Sequence, residues 1–495
     1  MDDWGLNCGT SGSNVILTWE SQEVADGYYV WGSDTFSVFH LLGRSDAEDC
    51  SYVWNGFEQK DIVWIKVSAF VCANGNEVIV SESKPLRMNQ FYEENMSLKA
   101  IQSYNGITIS WTDMDFSDGY YVYQKKENHW ECISELGDYQ VTYPTVNAGD
   151  CFIVVAYKRK NDRKTCYKFS EPFEFRKCEE IVGESCDVSV VVPCYNNEVF
   201  AVRCIDSVLS SCFHNFELIL VNDGSTDQTF SILKWYEENY PQAVRVLDKP
   251  NGGVADARNA GIEIAQGKAI CFVDSDDMIH PKMLQMMYQS MSSFQVDVVV
   301  SQYFRYENEK RYKRYELPYQ PNTVIPGEDV LSIMYKPQYF TSCVWNKMYR
   351  TDIVKKHQFP IVKIEDLAWT PYILSYCETA CYINIPLYCW DRRVSSVKKT
   401  ATNLIGSMRE PFLFEEREKA ISFYLENSQK TKKDYYVGVA TRRIIYYMEG
   451  CKSKDNPYAG FLQRLDETYG PLEENPCILS DQVTLSKLNE MYKRV

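Results

Sequence analysis

Three carboxylates follow an apolar run in the segment AICFVDSDD, which occupies residues 269–277. Asp274, Asp276 and Asp277 fall within four positions, directly after a stretch that predicts a buried strand. Like charges this close repel one another, and a hard cation such as Mg²⁺ or Mn²⁺ relieves the repulsion because it prefers oxygen ligands. The spacing therefore suggests a divalent-cation site in which phosphate oxygens of a substrate complete the coordination shell.

The DSDD segment alone leaves alternatives open. An acidic turn in contact with water has the same composition, and a kinase-like or nuclease-like site also places a pair of carboxylates at the end of a strand. The chemistry must therefore be decided from the elements that surround this cluster.

Apolar strands alternate with helical segments around the acidic cluster. Strands are predicted at 187–196, 216–225, 243–249 and 269–277, with helices at 197–212, 229–240 and 252–267. Ser225 and Gln228 predict a capping box for the second helix, and Gly267 is expected to close the third. This alternation is typical of a parallel sheet covered on both faces, in which ligands bind beyond the carboxyl ends of the strands. Tyr195, Asn196, Asp223 and the acidic cluster all fall at such ends.

Five segments in this order resemble glycosyltransferase family 2, whose members have the GT-A fold. They are VSVVVPCYNNE, ELILVNDGSTDQT, NGGVADARNAGIEIAQGKAICFVDSDD, WNKMYR and IEDL, between residues 188 and 367. The resemblance implies an α/β GT-A domain, Rossmann-like with a mostly parallel sheet. It also implies transfer of a sugar from a nucleotide-diphosphate sugar, with a UDP-sugar as the expected donor and Mn²⁺ or Mg²⁺ as the cofactor.

The resemblance also implies roles for individual residues on the donor side. Asp223 corresponds to the acid that binds the base, and Asp274 to an acid on the ribose or metal side. Asp276 corresponds to the direct metal ligand, and Asp277 either faces water or touches the donor sugar. The other residues expected to bind the nucleotide sugar are Pro193, Tyr195, Asn196, Glu198, Gly253, Arg258 and Ser275.

The acceptor side is implied by two later segments and by the IED match. The resemblance assigns the catalytic base to Asp366, with Glu365 beside it, and a single base implies inversion at the anomeric carbon. An acid pair favoured by the dipole at the start of a helix is the simpler interpretation of these two residues. Trp345 is expected either to stack on a sugar ring or to lie in the core. Arg392, Arg393 and Ser396 are the candidates for contact with the diphosphate.

The front of the chain contains a repeat. VILTWESQEVADGYYVWG at 15–32 corresponds to ITISWTDMDFSDGYYVYQ at 107–124, so that Trp19 matches Trp111. Short alternating strands and a Trp on an early strand suit a β-sandwich, and the repeat resembles the fibronectin type III module. We therefore expect sandwiches at 1–90 and 91–178, the GT-A domain at 179–400 and a helical C-terminal region at 401–495.

Composition excludes several classes of protein. The net charge of −16 counts against nucleic acid as a partner. No apolar run reaches the length of a membrane span, and the first residues do not form a signal peptide. The expected location is the cytoplasm, with peripheral association at the inner face of the membrane allowed. The 18 cysteines contain no CxxC pair and are expected to be free thiols.

The sequence thus predicts an inverting, metal-dependent glycosyltransferase of surface polysaccharide or glycoprotein synthesis. Its acceptor is expected to be a glycan, a lipid-linked glycan or a protein. An inactive carbohydrate-binding or scaffold protein on the same fold remains the alternative. A nucleotidyltransferase would carry a Gly-rich, basic loop after the first strand, and PCYNNE is not such a loop.

Overall fold

The chain forms two compact units in the computed structural model. The first comprises Met1–Glu180 with Glu309–Arg311, and the second comprises Ile181–Asn308 with Tyr312–Val495. The structure describes residue 4 and residues 7–11, 14–22, 25–33, 40–47, 50–54, 64–73, 76–83, 86–87, 96–113, 117–126, 130–160, 163–170, 172–178, 186–307, 310–313, 323–326, 342–391, 410–428, 430–450 and 456–492. The predicted boundaries at 90–91 and 400–401 lie outside these residues.

Strands form the regular structure described in the first unit. They are β1 Asn7–Ser11, β2 Asn14–Thr18, β3 Gly27–Ser33, β4 His40–Asp46, β5 Ser51–Trp54, β6 Trp64–Ala73, β7 Asn76–Glu82, β8 Leu86–Arg87, β9 Leu98–Ser103, β10 Gly106–Trp111, β11 Gly119–Lys125, β12 Trp130–Leu136, β13 Gln140–Tyr143, β14 Cys151–Lys160, β15 Arg163–Phe169 and β16 Phe173–Glu174.

The sequence repeat corresponds to a repeat in strand pairing. β1–β8 form a three-stranded sheet, β1-β2-β5, and a five-stranded sheet, β4-β3-β6-β7 with β8 on β6. β9–β16 form the sheets β13-β10-β9 and β12-β11-β14-β15 with β16 on β14. The rings of Trp19 and Tyr28 lie 5.2 Å apart at 65°, and those of Trp111 and Tyr120 lie 5.2 Å apart at 67°. The assignment of both halves to the fibronectin type III class stays a prediction.

A mixed sheet forms the centre of the second unit. Its strands are β17 Val188–Cys194, β18 Phe216–Asp223, β19 Val244–Lys249, β20 Ala269–Phe272, β21 Met278–Ile279, β22 Val298–Glu307, β24 Thr323–Pro326, β25 Lys347–Arg350 and β26 Thr379–Asp391, and β23 spans Lys310–Lys313. The order is β19-β18-β17-β20-β25-β22-β26-β21. The expected mostly parallel sheet is wrong beyond β20, because β25 runs antiparallel between β20 and β22.

Helices cover this sheet and differ from the prediction at two ends. They are α1 Ala201–Leu209, α2 Thr229–Asn239, α3 Val254–Ile264, α4 Met283–Phe294, α5 Thr351–Lys356 and α6 Glu365–Ser375. The capping box at α2 is wrong, since the Ser225 hydroxyl accepts from Asn196 N while Asp227 Oδ1 accepts from Thr229 N. Gly267 does not close α3, which ends at Ile264. Gly267 instead allows close approach, because a Cβ there would lie 2.5 Å from Ser189 N.

The C-terminal region is helical, as predicted. It contains α7 Glu410–Asn427, α8 Lys433–Gly450, α9 Pro457–Tyr469, α10 Pro476–Leu479 and α11 Gln482–Tyr492, with single 3₁₀ turns at Lys430–Lys432 and Leu472–Glu474. Buried residues of these helices share one hydrophobic core with Trp369 and Ile373 of α6. The C-terminal helices therefore pack against α6 through this shared core. Among the described helices, none has both the length and the apolar content needed to cross a bilayer.

Residues 181–495 produced alone should fold, because the sheet apart from the start of β23, its helices and their core belong to the second unit. We expect a cooperative thermal transition by circular dichroism and retained hydrolysis of a nucleotide sugar, the activity that the family resemblance implies. A folded fragment that lacks the hydrolysis shown by the full chain would contradict the assignment of the chemistry to this unit alone.

Candidate active site

The carboxyl ends of β17, β18 and β20 meet at one edge of the sheet because these three strands run parallel. A cleft of about 530 Å³ opens there. It is lined by Pro193, Cys194, Tyr195, Asn196, Asn197, Phe200, Asp223, Asn251, Gly253, Val254, Ala257, Arg258, Asp274, Ser275, Asp276 and Glu365. Ten residues that the sequence assigned to the site therefore come together in one cleft.

The loop after β17 is tied to the loop after β18. Asn196 adopts a left-handed conformation with φ of 44°, and its side-chain oxygen accepts from Thr226 N at 2.7 Å. Tyr195 beside it is 52% exposed, so its ring is available to a ligand at the mouth of the cleft. Sequence reasoning missed Asn197, whose Nδ2 donates to Ser275 Oγ at 2.8 Å. The available signal was its position in the YNNE segment, directly after the predicted site residue Asn196.

Glu198 does not line the cleft. Its Oε2 accepts from Gln228 N at 2.8 Å, at the start of α2, and its own N donates to Asp227 Oδ2 at 3.2 Å. This carboxylate thus satisfies a backbone donor that the helix leaves without a partner in its first turn. A contact between Glu198 and the nucleotide stays a prediction, and the structure does not bring the side chain to that position.

Asp223 is buried and organises the turn after β19. Lys249 Nζ and Gly252 N donate to its Oδ1 at 2.6 and 2.9 Å, and Gly253 N donates to its Oδ2 at 2.8 Å. Gly253 has a φ of +87°, which glycine adopts without strain. Asp223 therefore shapes the cleft wall through the glycine turn. Its predicted contact with the base would have to share these carboxylate oxygens. Lys249 carries no motif that would have pointed to this role.

Arg258 joins Asp274 of the DSDD segment to Glu365 at the start of α6. Its Nη2 donates to Asp274 Oδ1 at 2.8 Å, and its Nη1 donates to Glu365 Oε1 at 2.6 Å. Although burial of the guanidinium opposes it, the carboxylates of Asp274 and Glu365 raise the pKa of Arg258. Arg258 Nε has no acceptor among the residues that the structure describes. The arginine is therefore a permanent buried cation shared by two acids.

The three acids of DSDD have different environments. Asp277 is buried, and it accepts from Tyr388 Oη at 2.8 Å and from Asp391 N at 2.9 Å. Both positions expected for Asp277, in water or on the donor sugar, are thus corrected to a structural anchor for the end of β26. Asp274 and Asp276 line the cleft. No pattern in the sequence indicated that Tyr388 would contact Asp277.

Asp274 and Asp276 fit a divalent cation that also binds a diphosphate. Within the described ranges, no group of three His, Cys, Asp or Glu side chains converges as a complete protein cage. Mg²⁺ and Mn²⁺ do not need such a cage, since one or two carboxylates and substrate phosphates commonly hold them. The cleft offers this incomplete set of oxygen ligands.

The acid pair begins α6. Glu365 is buried and lines the cleft, whereas Asp366 lies beside it without lining it. Burial, together with the charge of Glu365, raises the pKa of Asp366 to about 6, against the opposing effect of Arg258.

Lys347, the buried lysine of the WNKMYR segment, donates to Cys343 O at 2.6 Å and to Asn346 Oδ1 at 2.7 Å. Burial lowers the pKa of Lys347 to about 8, and Cys343 and Asp366 oppose this shift.

Trp345 lies in an aromatic cluster. It stacks on Tyr388 with centroids 4.3 Å apart and meets the edge of Tyr303 at 4.7 Å, and it is 8% exposed. This position agrees with the core alternative, while stacking on a sugar stays a prediction. Arg392, Arg393 and Ser396 lie outside the described residues.

Known proteins match the part of the chain that forms this site. The family model "Glycosyl transferase family 2" matches residues 189–358. Glycosyltransferase GlyG of Streptococcus pneumoniae is 30% identical over 228 residues, which are 44% of this chain and 74% of that protein. The uncharacterized glycosyltransferase YibD of Escherichia coli is 31% identical over 218 residues, and the chain spans 63% of its length.

A structure of S. aureus TarS 1–349 in complex with UDP-GlcNAc matches 62% of this chain and 92% of that chain, with 21% identity and a TM-score of 0.47. The family model and the GlyG match define the chain as a glycosyltransferase. It belongs to glycosyl transferase family 2.

Replacing Arg258 with Met should lower stability strongly, because Glu365 and Asp274 would lose their shared cation. Breaking a buried ion pair by removing one partner costs about 3–5 kcal/mol. The matched control is Arg464→Met, which removes an exposed pair with Glu418 and should cost about 0.2–1 kcal/mol. Thermal melting of both variants checks this ranking. Equal melting temperatures would contradict the role of Arg258.

Proposed function

We propose that this chain transfers a sugar from a nucleotide-diphosphate sugar to a hydroxyl group of a glycan or glycoconjugate, with inversion, in surface polysaccharide synthesis. The single observation that carries the proposal is the cleft itself. It gathers the ends of three parallel strands, two acids suited to a cation and Glu365 of the ED pair around one buried arginine, and Asp366 follows Glu365 in the first turn of α6. Membership of family 2 supports sugar transfer as the reaction.

The donor side supplies binding and orientation. The exposed ring of Tyr195 offers a surface for the base, and the Gly252–Gly253 turn held by Asp223 gives the nucleotide a close backbone approach. Asp274 and Asp276 would hold the cation. When bound, the cation neutralises charge that develops on the leaving diphosphate. Arg258 keeps the Asp274 carboxylate oriented toward the cleft.

The acceptor side supplies the base. The acceptor oxygen forms a bond to the anomeric carbon while the bond from that carbon to the diphosphate oxygen breaks, and the acceptor proton passes to Asp366. A base is efficient when its pKa lies near the working pH, and burial moves the pKa of Asp366 toward that range. Glu365, held by Arg258, keeps the first turn of α6 beside the cleft.

Asp276→Ala should abolish transfer and donor hydrolysis while the chain stays folded. Removing one of two neighbouring acids relieves repulsion, so the melting temperature in EDTA should stay equal or rise slightly. Mn²⁺ affinity, measured by electron paramagnetic resonance with UDP present, should fall. Asp352→Ala, which removes an exposed acid of α5, is the control and should leave Mn²⁺ affinity unchanged. Wild-type Mn²⁺ affinity in Asp276→Ala would contradict the metal assignment.

Asp366→Asn should slow transfer by about 10²- to 10⁴-fold, the usual contribution of a positioned base. Nucleotide affinity should hardly change, and Glu365→Gln should slow transfer less. Transfer by the wild type should fall as the pH drops through about 6, because protonated Asp366 accepts no proton. Greater damage from Glu365→Gln at equal nucleotide affinity would assign the base to Glu365 instead.

Asp366→Asn should also change stability in a pH-dependent way. A carboxyl whose pKa is raised on folding favours the folded state when protonated, and it destabilises that state as the pH rises from about 4 through 6. The variant should therefore melt at a higher temperature than the wild type at pH 8. At pH 4 the difference in melting temperature should be much smaller. A constant difference between the two pH values would show that Asp366 is not the group whose pKa is raised.

A further inference from the structure

A second cavity of about 500 Å³ lies beside the donor cleft, and neither the acids nor the arginine of that cleft line it. Three segments line it: the start of α3 with the turn before it, the residues just before α6, and one face of α7. The lining residues are Gly252, Gly253, Val254, Ala255, Ile361, Val362, Lys363, Glu416 and Lys419. Gly253 and Val254 line both cavities, so the two are neighbours across a single turn.

The cavity wall combines apolar side chains with charged groups, of which Lys363 and Lys419 are exposed and Glu416 is buried. Ile361 is 65% exposed and Val254 37% exposed, so both offer apolar surface to a ligand in this cavity. Lys419 pairs with Glu416 at 3.1 Å, and Lys363 is exposed. Binding sites typically have apolar walls with a few polar groups that fix the orientation of the ligand.

These groups match a carbohydrate better than a polyanion. A pyranose ring presents a C–H face, which packs on aliphatic side chains, and a rim of hydroxyls, which bond to both carboxylates and ammonium groups. Lys419 and Glu416 cancel in charge, so the pair gives no preference for a highly charged ligand. Lys363 contributes a further ammonium group to the wall, and such a group can bond to a sugar hydroxyl or to the carboxylate of a weakly acidic glycan.

The position of the cavity fits the second substrate of a transferase. Residues 361–363 run directly into Ile364 and the Glu365–Asp366 pair at the start of α6. An oligosaccharide lying along these residues would extend toward the ED pair. The shared Gly253–Val254 turn would separate this oligosaccharide from the nucleotide. We infer that this cavity, walled by Ile361, Lys363, Glu416 and Lys419, binds a neutral or weakly acidic acceptor glycan. The inference rests on the proposed function and adds the acceptor site to it.

The test begins with an array of neutral and acidic oligosaccharides, on which the full chain is bound in the presence of UDP and Mn²⁺. The glycan bound most strongly is then titrated against Ile361→Asp. Because Ile361 is largely exposed, this change should leave the fold intact, and it places a charge against the apolar wall. Val483→Asp, which alters a 62% exposed residue of α11, is the matched control.

We expect the dissociation constant of that glycan to rise about tenfold or more in Ile361→Asp, which corresponds to about 1.4 kcal/mol. Val483→Asp should show the wild-type value, and the dissociation constant of UDP should stay within about twofold in both variants. Unchanged glycan binding in Ile361→Asp would overturn the inference, as would an array on which no oligosaccharide binds. If Ile361→Asp weakened UDP binding as much as glycan binding, the cavity would belong to the donor site, and the inference would be overturned. Donor hydrolysis without acceptor tests the proposed function separately.

Discussion

The guanidinium of Arg258 is the interaction on which the site depends. Three strand ends and α6 bring Asp274, Asp276 and Glu365 into one cleft, and such a group of acids repels itself. Arg258 neutralises Asp274 and Glu365 together, with donor–acceptor distances of 2.8 and 2.6 Å. It therefore ties the end of β20 to the start of α6. A lysine could not hold both acids through separate planar donors.

Other acids in and near the cleft are also stabilised by their local surroundings. Asp223 is satisfied by Lys249 and two glycine amides, and Asp277 by Tyr388 and a backbone amide. These contacts give both carboxylates a structural role, and base binding by Asp223 stays a prediction. Asp276 lines the cleft as a half-buried acid and is one of the two acids proposed to hold the cation. The pKa of Asp366 is raised because the half-buried carboxyl is desolvated and lies beside the like charge of Glu365.

The sequence was sufficient where the period of apolar residues determines the structure. Strands β17 to β20, the helices between them and the meeting of their polar ends follow from that pattern, and ten predicted residues line one cleft. Long-range partners could not be predicted. Ser225 does not cap α2, because the Ser225 hydroxyl accepts a hydrogen bond from the backbone N of Asn196, 29 positions away in the chain. The antiparallel β25 was missed because four residues, KMYR, carry no signal of strand direction. The buried role of Asp277 depends on Tyr388, 111 positions later.

The most direct test of the central claim is a crystal structure of the chain with UDP and Mn²⁺, with diffraction data collected on both sides of the manganese absorption edge. The account predicts the nucleotide in the cleft, with its base at Tyr195 and its diphosphate toward Asp274 and Asp276. It also predicts an anomalous manganese peak between those carboxylates and the diphosphate. Nucleotide bound away from this cleft, or bound in it with manganese absent from both acids, would contradict the account.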